Sequence, residues 1–135
     1  MRNKIHLMFK LSFILGFIVS ISFAAYITSN IKNLFNLSIF QVKSAEEFYN
    51  EFFDVLPLLT SIHFCASYVA SIIIGKKGMS FSNDETKLIQ FKTILGTLAI
   101  TFASLSFNPF LFIGGIFVLN YKKEEIVDKE EDYKE

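Results

Sequence analysis

A chain of 135 residues has room for one domain, which excludes multidomain enzymes and long repeat arrays. Its residues are 52% hydrophobic and 19% charged, with a mean hydropathy of +0.43. Soluble domains carry about 25% charged residues, so this is the composition of a membrane protein. Thirteen basic residues balance thirteen acidic ones, and without a basic excess nucleic acid is excluded as a natural partner.

The hydrocarbon core of a bilayer is about 30 Å thick, and a helix needs about 20 mostly apolar residues to cross it. Residues 11–28 (LSFILGFIVSISFAAYIT) form a first uncharged run of suitable length, preceded by Arg2, Lys4 and Lys10. A basic start, an apolar run and Ser22-Phe23-Ala24 ahead of Ala25 also resemble a cleavable secretory signal. The run continues to Ile27, which suits a full span; N-terminal sequencing separates the two readings.

An outside loop, 29–54, follows. Its second half reads as a short amphipathic helix. Ser44 and Glu47 have capping-box spacing, and Phe48, Phe52 and Val55 recur at helical intervals. An aromatic, acidic helix next to a span suits the headgroup layer or a partner surface. The preceding stretch, 34–42, is ambiguous between strand and amphipathic turn, and Asn36-Leu37-Ser38 matches a glycosylation sequon.

The second span is 55–75, ended by Gly75-Lys76-Lys77-Gly78 as a helix terminus with basic anchors, before a cytoplasmic loop over 76–87. Ser82 and Glu85 have capping-box spacing, with Asp84 and Glu85 suited to the first turn of helix three. That helix forms a span over 88–106, its Lys92 able to snorkel to the headgroups. Residues 94–121 hold no charge, too many for one ordinary span. Asn108-Pro109 favours two short helices over one long kinked one, because proline disfavours helix in the preceding residue and fits the first turn of a new one. The fourth span is then 109–121, and 122–135 is a charged, unfolded cytoplasmic tail.

Lysine and arginine concentrate in cytoplasmic segments. Three segments are basic: the one before span one, the one carrying Lys76, Lys77, Lys87 and Lys92, and the one opening with Lys122 and Lys123. The 29–54 loop has two Lys against Glu46, Glu47, Glu51 and Asp54. Placing the three basic segments together gives an all-α, four-span bundle in the cell membrane with both termini cytoplasmic. Abundant Phe, Ile, Lys and Asn hint at an AT-rich, low-GC bacterial genome.

Small residues recur four apart: Gly16 and Ser20, Ala66 and Ala70, Ala99 and Ala103, with Gly114 and Gly115 in the last span. Such residues let helices approach closely in lipid, within one bundle or between two copies. His63 is the ionisable residue deepest in a span; with Ser67, Thr97 and Thr101 it is the candidate intramembrane polar site. Without carboxylates at membrane depth, a hydrogen-bonded packing histidine competes with a proton relay. Cys65 reads as a small packing residue. No nucleophile elbow, HExxH or P-loop pattern occurs, so no enzyme activity, metal or cofactor is expected.

IIIGKKG (72–78), KTILGTLAI (92–100) and PFLFIGGIFVLNYKKE (109–124), after a basic start and a loop of this length, give a layout that resembles a family of small four-span membrane proteins from Gram-positive bacteria. That resemblance covers most of residues 1–124 and implies a fold without an activity. Two functional expectations follow. One is a non-enzymatic accessory or interaction protein, whose partners are the bilayer and a membrane protein or second copy. The other is a small transporter, channel or immunity-type element using His63.

Overall fold

A computed structural model describes residues 1–35 and 44–122. The 34–42 stretch, the sequon and the tail beyond Lys122 lie outside the residues whose structure is described in full. Among the described residues the chain is all-helical: α1 (Arg2–Phe35), α2 (Ala45–Asn83), α3 (Glu85–Ser106) and α4 (Pro109–Leu119). The first three are long and apolar enough to cross a membrane; α4, at 11 residues, is shorter.

α1 starts nine residues before the uncharged run and outlasts it, with Lys32 in its last turn, where a cation complements the helix dipole. Its exposed hydroxyls bond their own backbone: Ser22 Oγ donates to Ile18 O at 3.0 Å, Thr28 Oγ1 to Ala24 O at 2.8 Å and Ser29 Oγ to Ala25 O at 3.0 Å. A polar side chain satisfied on its own helix needs no water, which suits a lipid-facing surface.

Ser44 caps α2, accepting from Glu47 N at 3.2 Å. The helix then runs without interruption to Asn83. Residues 45–54 are thus the first turns of α2 itself. The expected end at Gly75 is also corrected. A glycine that terminates a helix takes a left-handed conformation, and no described glycine has a positive φ. Gly75 and Gly78 are instead buried against α1. A Cβ on Gly75 would lie 3.1 Å from Phe9 O, and the place of one on Gly78 is filled by the Phe9 ring.

The start of α3 differs from the expected capping box as well. Its N-cap is Asp84, whose carboxylate accepts from Lys87 N at 3.2 Å and pairs with Lys87 Nζ at 3.0 Å. Ser82 belongs to the last turn of α2. It is buried, donates to Met79 O at 2.7 Å and lies 3.0 Å from His6 Nδ1, so its hydroxyl is already engaged. The Lys87 side-chain bond, then the Lys87 N–H, hold the Asp84 carboxyl below its usual pKa of 3.8. A depressed carboxylate contributes stability above its unfolded pKa and loses it as pH falls through the folded one. Asp84→Asn should therefore flatten the acid limb of stability below about pH 4, measured by thermal unfolding from pH 7 to 2.5. An unchanged acid limb would contradict the assignment.

α3 and α4 join at Phe107, which is left-handed (φ 52°, ψ 38°), and at Asn108, the N-cap of α4 with Pro109 in the first turn. The proline break lies where the sequence places it. α1 packs on α2 and α4, and α3 on the same two, closing a four-helix ring. The buried core, including Ile5, Phe9, Leu88, Leu111 and Val118, joins the first turns of α1 to α3 and α4. Large apolar side chains remain exposed along α1, α2 and α3, among them Ile18, Ile21, Ile73, Ile94 and Leu98.

Candidate functional site

The polar residues singled out in the sequence do not converge. His63 is exposed on α2, its ring edge-on to Phe64 with centroids 5.6 Å apart. Thr97 and Thr101 are exposed on α3. Ser67 alone of the four is buried, its carbonyl accepting from Ser71 Oγ at 3.0 Å. A relay through these four side chains has no internal path in this arrangement.

Two other polar clusters assemble. In the interior, Asn108 Nδ2 donates to Ser12 Oγ at 3.0 Å, and Ser71 Oγ lies 3.2 Å from Ser106 Oγ. These bonds tie the α3/α4 turn to both long helices. Asn108 is 1% exposed, and its Oδ1 also accepts from Leu111 N at 3.1 Å. A buried carboxamide with donors and acceptors matched fixes register instead of reacting.

At one end of the bundle, Glu85 accepts from Tyr121 OH at 3.0 Å and lies 3.5 Å from Arg2. Lys92 Nζ donates to Tyr121 O at 3.3 Å, and His6 pairs with Ser82 nearby. This cluster gathers the start of α1, the α2/α3 junction and the end of α4 at one end.

The packing residues divide. Gly16, Ser20, Ala99, Ala103, Gly114 and Gly115 are buried, whereas Ala66 is exposed and Ala70 half-buried. The adjacent glycines of α4 differ in a testable way. A Cβ on Gly114 would have nothing nearer than Met8 Cβ at 3.4 Å, an ordinary contact. One on Gly115 would meet Ile100 Cγ1 at 2.9 Å, Gly96 O at 3.0 Å and Ala99 Cβ at 3.1 Å. Gly114→Ala should therefore gain about 0.5–1 kcal/mol from helix propensity, and Gly115→Ala should lose about 1–3 kcal/mol by overpacking. Equal shifts of both variants in detergent melting curves would refute the close packing at Gly115.

A groove of about 400 Å³ opens between α1 and α2, lined by Ser22, Phe23, Tyr26, Pro57, Thr60 and Ser61. Pro57 removes one backbone bond inside α2, while Thr60 and Ser61 hydroxyls both donate to the Pro57 carbonyl, at 3.0 and 2.7 Å. Cys65 is half-buried, its thiol 3.8 Å from Ser20 O. Among the described residues no three His, Cys, Asp or Glu side chains gather as a metal site would require.

The interior cluster was legible only in part. Asn108 stands out in the sequence as a turn residue, but its bond to Ser12 spans 96 positions and has no local signal. Comparison with protein-family models, curated proteins and solved structures finds no match to this chain.

Proposed function

We propose that this chain is a non-enzymatic accessory or interaction protein of the bacterial cytoplasmic membrane, with its basic segments and both termini in the cytoplasm. The observation that carries the reading is the sorting of polar groups. Ser12, Ser71, Ser106 and Asn108 are buried and bonded to one another or to backbone, while apolar side chains cover the outer faces of α1, α2 and α3. In water such a surface would be an aggregation liability; in lipid it is solvated.

The meeting of Arg2, Glu85 and Tyr121 supports a common side for the three basic segments. It requires α4 to return the chain to the side where α3 begins, as the four-span layout does. That layout resembles the small Gram-positive membrane family and brings no activity with it. A reporter fused after Glu135 is expected to read cytoplasmic; an extracytoplasmic signal would overturn the orientation. Native pull-down in mild detergent is expected to return a second copy or a membrane-protein partner on the exposed apolar faces, and a lone monomer would count against the interaction role.

The transporter or immunity alternative finds no support in the outward positions of His63, Thr97 and Thr101. His63→Ala should change stability by less than about 0.5 kcal/mol, as expected at an exposed site. It should also leave ion flux in proteoliposomes unaltered. Abolished flux would revive that alternative.

A further inference from the structure

α1 and α2 run antiparallel in a register that several contacts fix. The Phe23 and Phe64 rings stack with centroids 5.6 Å apart, the Cys65 thiol is 3.8 Å from Ser20 O, and His6 meets Ser82. Phe9 O lies 3.1 Å from where a Cβ on Gly75 would sit, so the two backbones are in close contact there. This register lays the uncharged runs 11–31 and 55–75 side by side. At 1.5 Å per residue each covers about 30 Å, one hydrocarbon thickness. Lys10 and Lys76 thereby end the two runs at one level, from two different helices.

These lysines also share a side. Lys10 directly follows Phe9, and Lys76 directly follows Gly75. Each residue turns a helix by about 100°, so in an antiparallel pair one step onward from facing positions brings both side chains to the same side of the seam. α3 and α4 approach from the other side, where Ser12 bonds Asn108, Ser71 faces Ser106 and Met8 borders Gly114.

The acids at this end among the described residues are already engaged, Glu85 by Arg2 and Tyr121, and Asp84 by Lys87. Lys10, Lys76 and the neighbouring Lys77 are exposed and form no ion pair among the described residues. Toward the hydrocarbon the same stripes become apolar. Ile14 and Phe17 lie four and seven positions after Lys10, and Ile72 and Val69 four and seven before Lys76. Ile14, Phe17 and Val69 are exposed, which leaves an apolar furrow open below the lysine pair.

We infer that this seam binds an anionic phospholipid, its phosphate between Lys10 and Lys76 and an acyl chain along Ile14, Phe17 and Val69. Two ammonium groups at the hydrocarbon edge match a phosphate in charge, and the furrow beneath them matches the chain. A free phosphate would leave that furrow unused. The inference rests on the membrane reading above and adds to it a partner of stated chemistry, drawn from the leaflet at the basic end.

The chain contains no Trp, so Phe17→Trp places a single reporter beside the seam in the full chain. In phosphatidylcholine vesicles with a minor share of bromine-labelled lipid in both leaflets, brominated phosphatidylglycerol is expected to quench it at least twofold more than the same share of brominated phosphatidylcholine. Adding Lys10→Gln and Lys76→Gln should abolish the preference. Lys4→Gln with Lys122→Gln, which removes the same charge from exposed positions elsewhere at the basic end, should retain it. Equal quenching by the two lipids, or equal loss of preference in both double variants, would overturn the site alone and leave the membrane reading standing. Absence of quenching by either lipid would overturn both. Loss of the preference in inorganic phosphate at matched ionic strength would show a site for the free anion and overturn the lipid assignment. As a second arm, phosphatidylglycerol added to the tryptophan-free chain in mild detergent is expected to raise its Tm by more than phosphatidylcholine does, a difference the Lys10→Gln/Lys76→Gln protein should lose. Equal shifts in the unaltered chain would also overturn the site.

Discussion

Replacing Asn108 with alanine is expected to lower stability by about 2–4 kcal/mol, one of the two largest single-residue effects expected in this chain. Two losses combine. The cap oxygen serving Leu111 N disappears, worth about 1 kcal/mol, and the buried Ser12 hydroxyl loses the partner that reaches it from α4, at about 1–3 kcal/mol. Ser12→Ala alone should cost less, because the cap survives. The double variant should fall short of the sum by about 1 kcal/mol, since removing both partners leaves no orphan across that bond. Thermal unfolding of the four proteins in one detergent measures the cycle. Strict additivity, or a loss under about 0.5 kcal/mol for Asn108→Ala, would mean that this bond does not hold the α3/α4 turn to α1.

Gly78→Val should be at least as damaging, at about 3 kcal/mol or more, because two effects act together. The Phe9 ring occupies the space any side chain there would need, and Phe9 is fully buried in the core. Overpacking of this kind costs about 1–3 kcal/mol when neighbours can shift, and a β-branched residue adds further bulk against a ring held by α4. Gly78→Ala is milder, since gained helix propensity of about 1 kcal/mol offsets part of the clash. Adding Phe9→Leu to Gly78→Ala should restore at least half of the loss. Failure of the smaller side chain to rescue would show that the α1/α2 crossing is set elsewhere.

How far the sequence could be read follows from which signals are local. Ser44 with Glu47, and Asn108 with Pro109, are cap and break signals complete within a few residues, and both operate in the structure. Gly75-Lys76-Lys77-Gly78 is equally local but ambiguous, because glycine can end a helix or admit a neighbour. The choice depends on Phe9, nearly seventy positions away. Ser82 and Asp84 compete to cap α3, and Ser82 is withdrawn by Met79 and His6, the latter on another helix.

The candidate polar site shows the same division. In a soluble helix, apolar periodicity tells the inner face from the outer one. Here α1, α2 and α3 are apolar on nearly every face, so spacing indicates depth along each helix but not direction around it. His63 was therefore conspicuous by its chemistry and yet faces outward, whereas Ser12, Ser71 and Ser106 are inconspicuous and face inward.

By itself the sequence determined that the described chain is helical and where its last apolar stretch breaks, because composition, length and proline stereochemistry act within one segment; of the four spans it predicts, three helices are long and apolar enough for a bilayer. Only the tertiary structure decided that α2 continues past its glycines, which hydroxyls meet inside, and that the α3/α4 turn stops level with Ser12 and Ser71. Each of these depends on contacts between segments distant in the chain, which a lipid-compatible sequence, apolar on all sides, leaves unencoded locally.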